Sequence, residues 1–254
     1  MRLINALLLI ADVSGYTHFI RHRAVSLAHA ESIVTELLES VIDRAEHPLI
    51  LNKLEGDAAL LYAEVTNDPR AAVESAVGQA GAFFDAFTAR RAEVQDARRH
   101  CSCDACTAID GLGLKVFVHV GEVLLKPVRH FEELAGEEVI LIHRLLKNHV
   151  PAREYVLLSQ PVHDVVGRLL PECAAVAEDI EGLEPVTIWW LPPDAPGLQQ
   201  LVARTVSPAA GPHRAVEPMR LADHFHHLPR YQTSTWTAAW EHVAILAGRW
   251  FSRR

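Results

Sequence analysis

Apolar positions recur along the chain with two different periods, and the change from one period to the other predicts its elements. Leu7–Val13, broken only by Asp12 and followed by Ser14-Gly15, reads as a buried central strand. From Ala24 to Ala45 the residues Ile33, Leu37, Leu38, Val41 and Ile42 recur at helical spacing, and Pro48 supplies a stop. Leu49–Leu54 and Ala58–Val65 flank Glu55-Gly56-Asp57, which predicts two strands joined by a tight hairpin. Pro69–Ala97 carries Val73, Val77, Ala80, Phe84 and Phe87 on one face and predicts a second long helix. Leu114–Val120 and Glu122–Val128 suggest another hairpin, turning at Gly121. Val139–Leu146 and Pro161–Leu170 read as helices, and Tyr155–Ser159, Val176–Glu178 and Val186–Leu191 as strands. The order β-α-β-β-α-β-β-α-β-α-β-β predicts an α+β architecture, a mixed sheet with helices packed on one face. Pro192 to Pro218, rich in Pro, Ala and Gly, opens a linker (192–232) before a last amphipathic helix (233–254).

Half of the 254 residues are apolar, enough for one domain with a sizeable core plus an appendage. The net charge of −8 offers no basic field and argues against nucleic acid as a partner. An anionic ligand would have to be met locally, by metal ions and a few placed cations. The apolar N-terminus runs straight into Asp12 without a cleavage pattern, so a strand is the better reading than a signal peptide. Cys101, Cys103 and Cys106 lie too close together for a disulfide framework, and a reducing cytoplasm fits them best.

Asp12 ends one buried strand and Asp57 occupies the tip of a hairpin. Two carboxylates at neighbouring strand ends supply hard oxygen ligands for Mg²⁺ or Mn²⁺, which would bridge the phosphates of a substrate. The Ser14-Gly15-Tyr16-Thr17 turn exposes backbone N–H groups beside them. The same residues also suit a helix cap and a β-turn, and the residues alone leave both readings open.

Four blocks taken in order alter that balance: Asp12-Val-Ser-Gly-Tyr-Thr17, Lys53-Leu-Glu-Gly-Asp57, Val118-His-Val-Gly-Glu122 and Gly136-Glu-Glu-Val-Ile-Leu-Ile-His-Arg144. Together they resemble the class III adenylate/guanylate cyclase catalytic domains over roughly residues 5–191, in a bacterial branch with a Cys-x-Cys-x-x-Cys insert and a His143-Arg-Leu-Leu-Lys-Asn148 run. The resemblance implies a ferredoxin-like cyclase fold over 1–191 and a homodimer with sites at the subunit interface. It implies two Mg²⁺ or Mn²⁺ ions on Asp12, Asp57 and the Val13 carbonyl. Gly15, Tyr16 and Thr17 would meet the phosphates, Lys53 and Glu133 the purine, ATP by preference, and Arg144 the α-phosphate.

One position departs from the pattern. Where the resemblance places an asparagine one turn before Arg144, this chain has Ile140, with His143 the nearest replacement. The expectation is therefore a weak ATP cyclase, or a cyclase homologue that binds nucleotide as a sensor or scaffold. A zinc-stabilised interaction module would rest on the cysteines alone. The Cys101, Cys103 and Cys106 spacing suits structural zinc, with His100, His119 or a partner subunit as the fourth ligand and Cys173 distant in sequence. Trp236, Trp240, Val243, Ala247 and Trp250 form a stripe in the last helix, ahead of Arg253 and Arg254. That helix would dock on the core or the dimer partner, or lie on an anionic membrane. His224, His226 and His227 read as surface residues.

Overall fold

The computed structural model describes residues 1–19, 24–66, 68–129, 131–180 and 184–207. Strand β1 (Arg2–Ser14) is central, pairing antiparallel with β3 (Ala58–Glu64) on one side and β4 (Gly113–Val128) on the other. With β2 (Ile50–Glu55), β5 (Phe131–Ala135), β6 (Tyr155–Ser159), β7 (Ala174–Glu178) and β8 (Val186–Leu191) they make one sheet, ordered β2-β3-β1-β4-β6-β8-β7, with β5 also paired to β4. The β4–β6 pair is parallel and the rest are antiparallel, so the sheet is mixed and the α+β class expected from the element order holds.

Alternation along β1 divides the core. Leu7, Leu9, Ala11 and Val13 pack with residues of α2 (Ala24–Arg44) and α3 (Pro69–Arg98), such as Ile33, Leu37, Phe83 and Phe87. Leu8 and Ile10 point the other way and pack with Val139, Ile142 and Leu145 of α5 (Glu137–Leu145). The helices therefore divide between the faces instead of sharing one. Among the described residues α2 and α3 cover one side, while α5 covers part of the other.

The expected hairpin at Gly121 is replaced by one continuous strand, since β1 pairs with β4 without a break from Arg2↔Leu125 to Ser14↔Gly113. Gly121 serves a different need. A Cβ there would lie 2.7 Å from Cγ of Glu138, so the glycine lets α5 approach the strand. The turn comes later, at Arg129, whose φ of 55° lets β5 fold back on β4.

Part of the stretch expected to be a linker from residue 192 is helical. Pro196–Thr205 forms helix α7, with Pro196 in its first turn and with Leu198 and Leu201 buried beside α3. The proline content that suggested a linker marks a helix start instead. The remainder of the linker, His224, His226, His227 and the helix expected over 233–254 lie outside the described residues. Among the described residues no helix is long and apolar enough to cross a membrane.

Candidate active site

The end of β1 and the β2–β3 hairpin bring Asp12 and Asp57 together. Gly56, at φ 64°, takes the first position of a two-residue turn between Glu55 and Ala58, a conformation glycine adopts without strain. That turn fixes Asp57 beside the strand end, where its carbonyl accepts a hydrogen bond from the Val13 amide at 3.0 Å. Asp12 pairs with Ala58 on one side and Lys115 on the other. Its neighbours Ala58 and Ile10 belong to the face covered by α5, so its side chain shares that face.

Burial raises the Asp12 carboxyl to about 6, with the Asp57 charge adding to the rise and Lys115 opposing it. Burial also pushes Asp57 up, against its own backbone hydrogen bond and Lys115, with Glu31 adding to the rise. These are two desolvated acids sharing one weakly placed cation. A divalent ion held by both would remove the cost of ionising them, so the donor set fits Mg²⁺ or Mn²⁺. Lys115, whose ammonium also lies 5.8 Å from the centroid of the Tyr155 ring, was not singled out from the sequence. A lysine inside the buried first half of β4 was the available signal.

The turn after Asp12 is held from two sides. Gly15 has φ 90°, and a Cβ on it would stand 2.8 Å from the Gly111 carbonyl oxygen. Tyr16, in the short helix α1 (Tyr16–Phe19) that also contains Thr17, donates its hydroxyl to Glu31 of α2 at 3.0 Å. Burial, and then that bond to a carboxylate, push the Tyr16 phenol up to about 12.

A second group lies along β2, β5 and α5. Asn52 donates to the Glu132 carbonyl at 2.9 Å, which ties β2 to β5 one residue from each of Lys53 and Glu133. Lys53 pairs with Glu55 at 2.6 Å and Glu133 with Lys126 at 2.9 Å. Glu55 also meets His143 Nε2 at 2.6 Å, while His143 Nδ1 lies 2.6 Å from the Val139 carbonyl. Both ring nitrogens of His143 are thus engaged. Arg144 is exposed, and no carboxylate pairs with it among the described residues. Ile140, one turn earlier, is 51% exposed.

The cysteines fall elsewhere. Cys101, Cys103 and Cys106 gather around His29 of α2, not around His100 or His119. His119 is buried between Ser159 at 2.8 Å and Glu138 at 2.7 Å, and burial lowers its pKa against the pull of Glu138. Cys173 lies apart from the cluster, and burial raises its thiol to about 12. His29 sits more than seventy residues before the cysteines, on a helix whose apolar spacing said nothing of that residue.

Comparison with known proteins agrees with this architecture. The family described as "Protein of unknown function (DUF2652)" matches residues 34–155. "Uncharacterized protein Rv2561/Rv2562" of Mycobacterium tuberculosis is 36% identical over 156 residues, 59% of this chain and 68% of its own. Among solved structures, the adenylyl cyclase CyaB from P. aeruginosa gives a TM-score of 0.55 at 16% identity, covering 74% of this chain and 94% of that one. The guanylyl cyclase Cya2 gives 0.53 at 12% identity, covering 74% and 91%. A bacterial light-regulated adenylyl cyclase gives 0.53 at 11%, covering 81% and 100%. Identities this low speak for the fold and not for the activity. The chain belongs to the family of the mycobacterial protein Rv2561/Rv2562, and its fold is that of class III nucleotidyl cyclase catalytic domains.

Proposed function

We propose that the protein is a weak, divalent-metal-dependent nucleotidyl cyclase that converts ATP to cyclic AMP and pyrophosphate. The observation that carries this reading is the pair Asp12 and Asp57, desolvated together at one strand end with Asp12 raised to about 6. Acids kept side by side at such a cost are a mark of function more than of stability.

Asp12, Asp57 and the Val13 carbonyl would hold two Mg²⁺ or Mn²⁺ ions. Bound there, the ions would acidify the ribose 3′-hydroxyl and neutralise the triphosphate. The residues of this chain do the rest. Gly15, Tyr16 and Thr17 shape the turn beside the phosphates. Lys53 and Glu133 read the purine after releasing Glu55 and Lys126, exchanges that cost little because exposed ion pairs are weak. Arg144, with which no carboxylate pairs among the described residues, meets the charge that develops on the α-phosphate.

The two groups would meet across a homodimer, in which each subunit's carboxylates face the other's β2, β5 and α5. Support comes from the exposed apolar side chains Ile50, Leu51 and Leu54 on β2, Val128 at the end of β4 and Ile140 on α5. Bounds of 1–191 for the catalytic fold belong to the same proposal, with α7 packed against it and the chain after α7 as an appendage, as does a cytoplasmic location.

Ile140 also favours a second reading, a cyclase homologue that binds nucleotide without turnover, because no donor stands there and His143 is already engaged. Purified protein incubated with each nucleoside triphosphate and Mn²⁺ decides between them. Cyclic product detected by mass spectrometry supports the enzyme. Binding without product supports the sensor, and absence of binding excludes both.

A further inference from the structure

Away from the carboxylates, one other cluster among the described residues carries ligand chemistry. The Nδ1 atom of His29 lies 3.6 Å from the sulfur of Cys101, 3.3 Å from that of Cys103 and 3.5 Å from that of Cys106. All four ligand atoms fall within 4.8 Å of one another, and all four residues are partly buried.

Hydrogen bonding does not account for this arrangement. An imidazole nitrogen offers one proton or one lone pair, so three sulfurs at nearly equal distance leave two of them unserved. A tetrahedral ion does account for it. Zn–S bonds of about 2.3 Å and Zn–N bonds of about 2.0–2.1 Å give tetrahedral edges of about 3.6 Å from nitrogen to sulfur. The three observed distances lie at that edge or up to 0.3 Å inside it. The Cys103 sulfur also accepts from the Cys106 amide at 3.5 Å, a contact that steadies a thiolate. The three cysteines are free, so no disulfide competes for them.

We propose that His29, Cys101, Cys103 and Cys106 are the four ligands of a structural Zn²⁺ ion. Three thiolates and an imidazole select a soft tetrahedral metal over Mg²⁺ or Mn²⁺. Four protein ligands close the shell, leaving no open position for chemistry. The ion ties α2 to the segment from Cys101 through α4 (Asp104–Thr107) to Gly111. Those two parts are also what hold the turn after Asp12, since Gly111 abuts Gly15 and Glu31 of α2 holds Tyr16. The metal thus braces that turn from outside. The ligand geometry stands whether or not the chain is a cyclase.

The test is the metal content of the full chain, purified without added zinc and measured by plasma mass spectrometry, together with the absorption of the cobalt(II)-exchanged protein. The expected result is one zinc per chain and the intense visible bands of tetrahedral cobalt with thiolate charge transfer. Cys101→Ser and Cys103→Ser should lose the metal and His29→Ala should lower its occupancy, whereas His100→Ala and Cys173→Ser should keep one ion. Wild-type protein with neither zinc nor the tetrahedral cobalt spectrum overturns the proposal, as does a disulfide within the cluster. Should the cysteine variants fail to fold, the wild-type stoichiometry and spectrum still decide.

Discussion

At the scale of single residues, the proposed site gives Asp12 opposite effects on stability and on ligand binding. Its carboxyl titrates near 6 in the folded chain, against an ordinary value of 3.8. Between those values the folded state holds a proton that the unfolded state has lost. Stability contributed by the protonated acid is therefore complete below about 4 and is lost as pH rises through 6. A shift of that size corresponds to about 3 kcal/mol at neutral pH. Asp12→Asn should consequently stabilise the metal-free protein by about 2–3 kcal/mol at pH 7, and by much less at pH 4, in denaturant titrations. The same variant should lose Mn²⁺-dependent nucleotide binding, and wild-type binding should strengthen as pH rises through about 6. Equal stability of the two proteins across that range would show that Asp12 bears no such cost. That Asp12 ends a buried strand and Asp57 lies in a hairpin turn was legible in the sequence, because an apolar run and a glycine mark those elements, while their joint role rested on the resemblance. Lys115 and His29 were not legible, since what they meet is set by strand register and by a contact between α2 and a distant loop.

At the scale of elements, the proposed function makes α5 the element on which turnover depends. Ile140 and Arg144 are one turn apart on the exposed side of α5, while Val139, Ile142 and Leu145 anchor the helix to the sheet. An isoleucine contributes no donor to developing charge, and one such donor is worth about 2.7–4 kcal/mol at a transition state. Ile140→Asn should therefore raise cyclic nucleotide formation by about 10²–10³ while leaving ground-state affinity nearly unchanged. Because Ile140 is half exposed, stability should move by no more than about 0.5 kcal/mol. An Ile140→Asn protein that binds nucleotide and makes no product would favour the sensor. The sequence predicted α5 well, since its apolar spacing is regular. It misplaced the hairpin in β4 because a glycine in a strand signals either a turn or a close approach. Only Glu138 of α5, packed against Gly121, distinguishes them.

At the scale of the whole molecule, no hydrogen bond or ion pair joins Asp12 or Asp57 to Lys53 or Arg144 among the described residues. A two-fold pairing would give two equivalent sites, each drawing Asp12 and Asp57 from one subunit and Lys53, Glu133 and Arg144 from the other. Mixing Asp57→Ala with Arg144→Ala protein should regenerate one intact site per heterodimer, giving activity or high-affinity binding that neither variant has alone. A protein that stays monomeric at high concentration with Mn²⁺ and nucleotide would rule this arrangement out. Alternating β and α elements made the mixed sheet foreseeable, but not the division of helices between its faces, which depends on where β5 returns.

The most direct test of the central claim is calorimetric titration of Mn²⁺–ATP into wild-type and Asp57→Ala protein. Asp57 sits half-buried in a turn whose shape Gly56 sets, so its removal should leave the fold intact. The account predicts saturable, metal-dependent binding to the wild type and none to a folded Asp57→Ala variant. Equal affinity in the two proteins would contradict it.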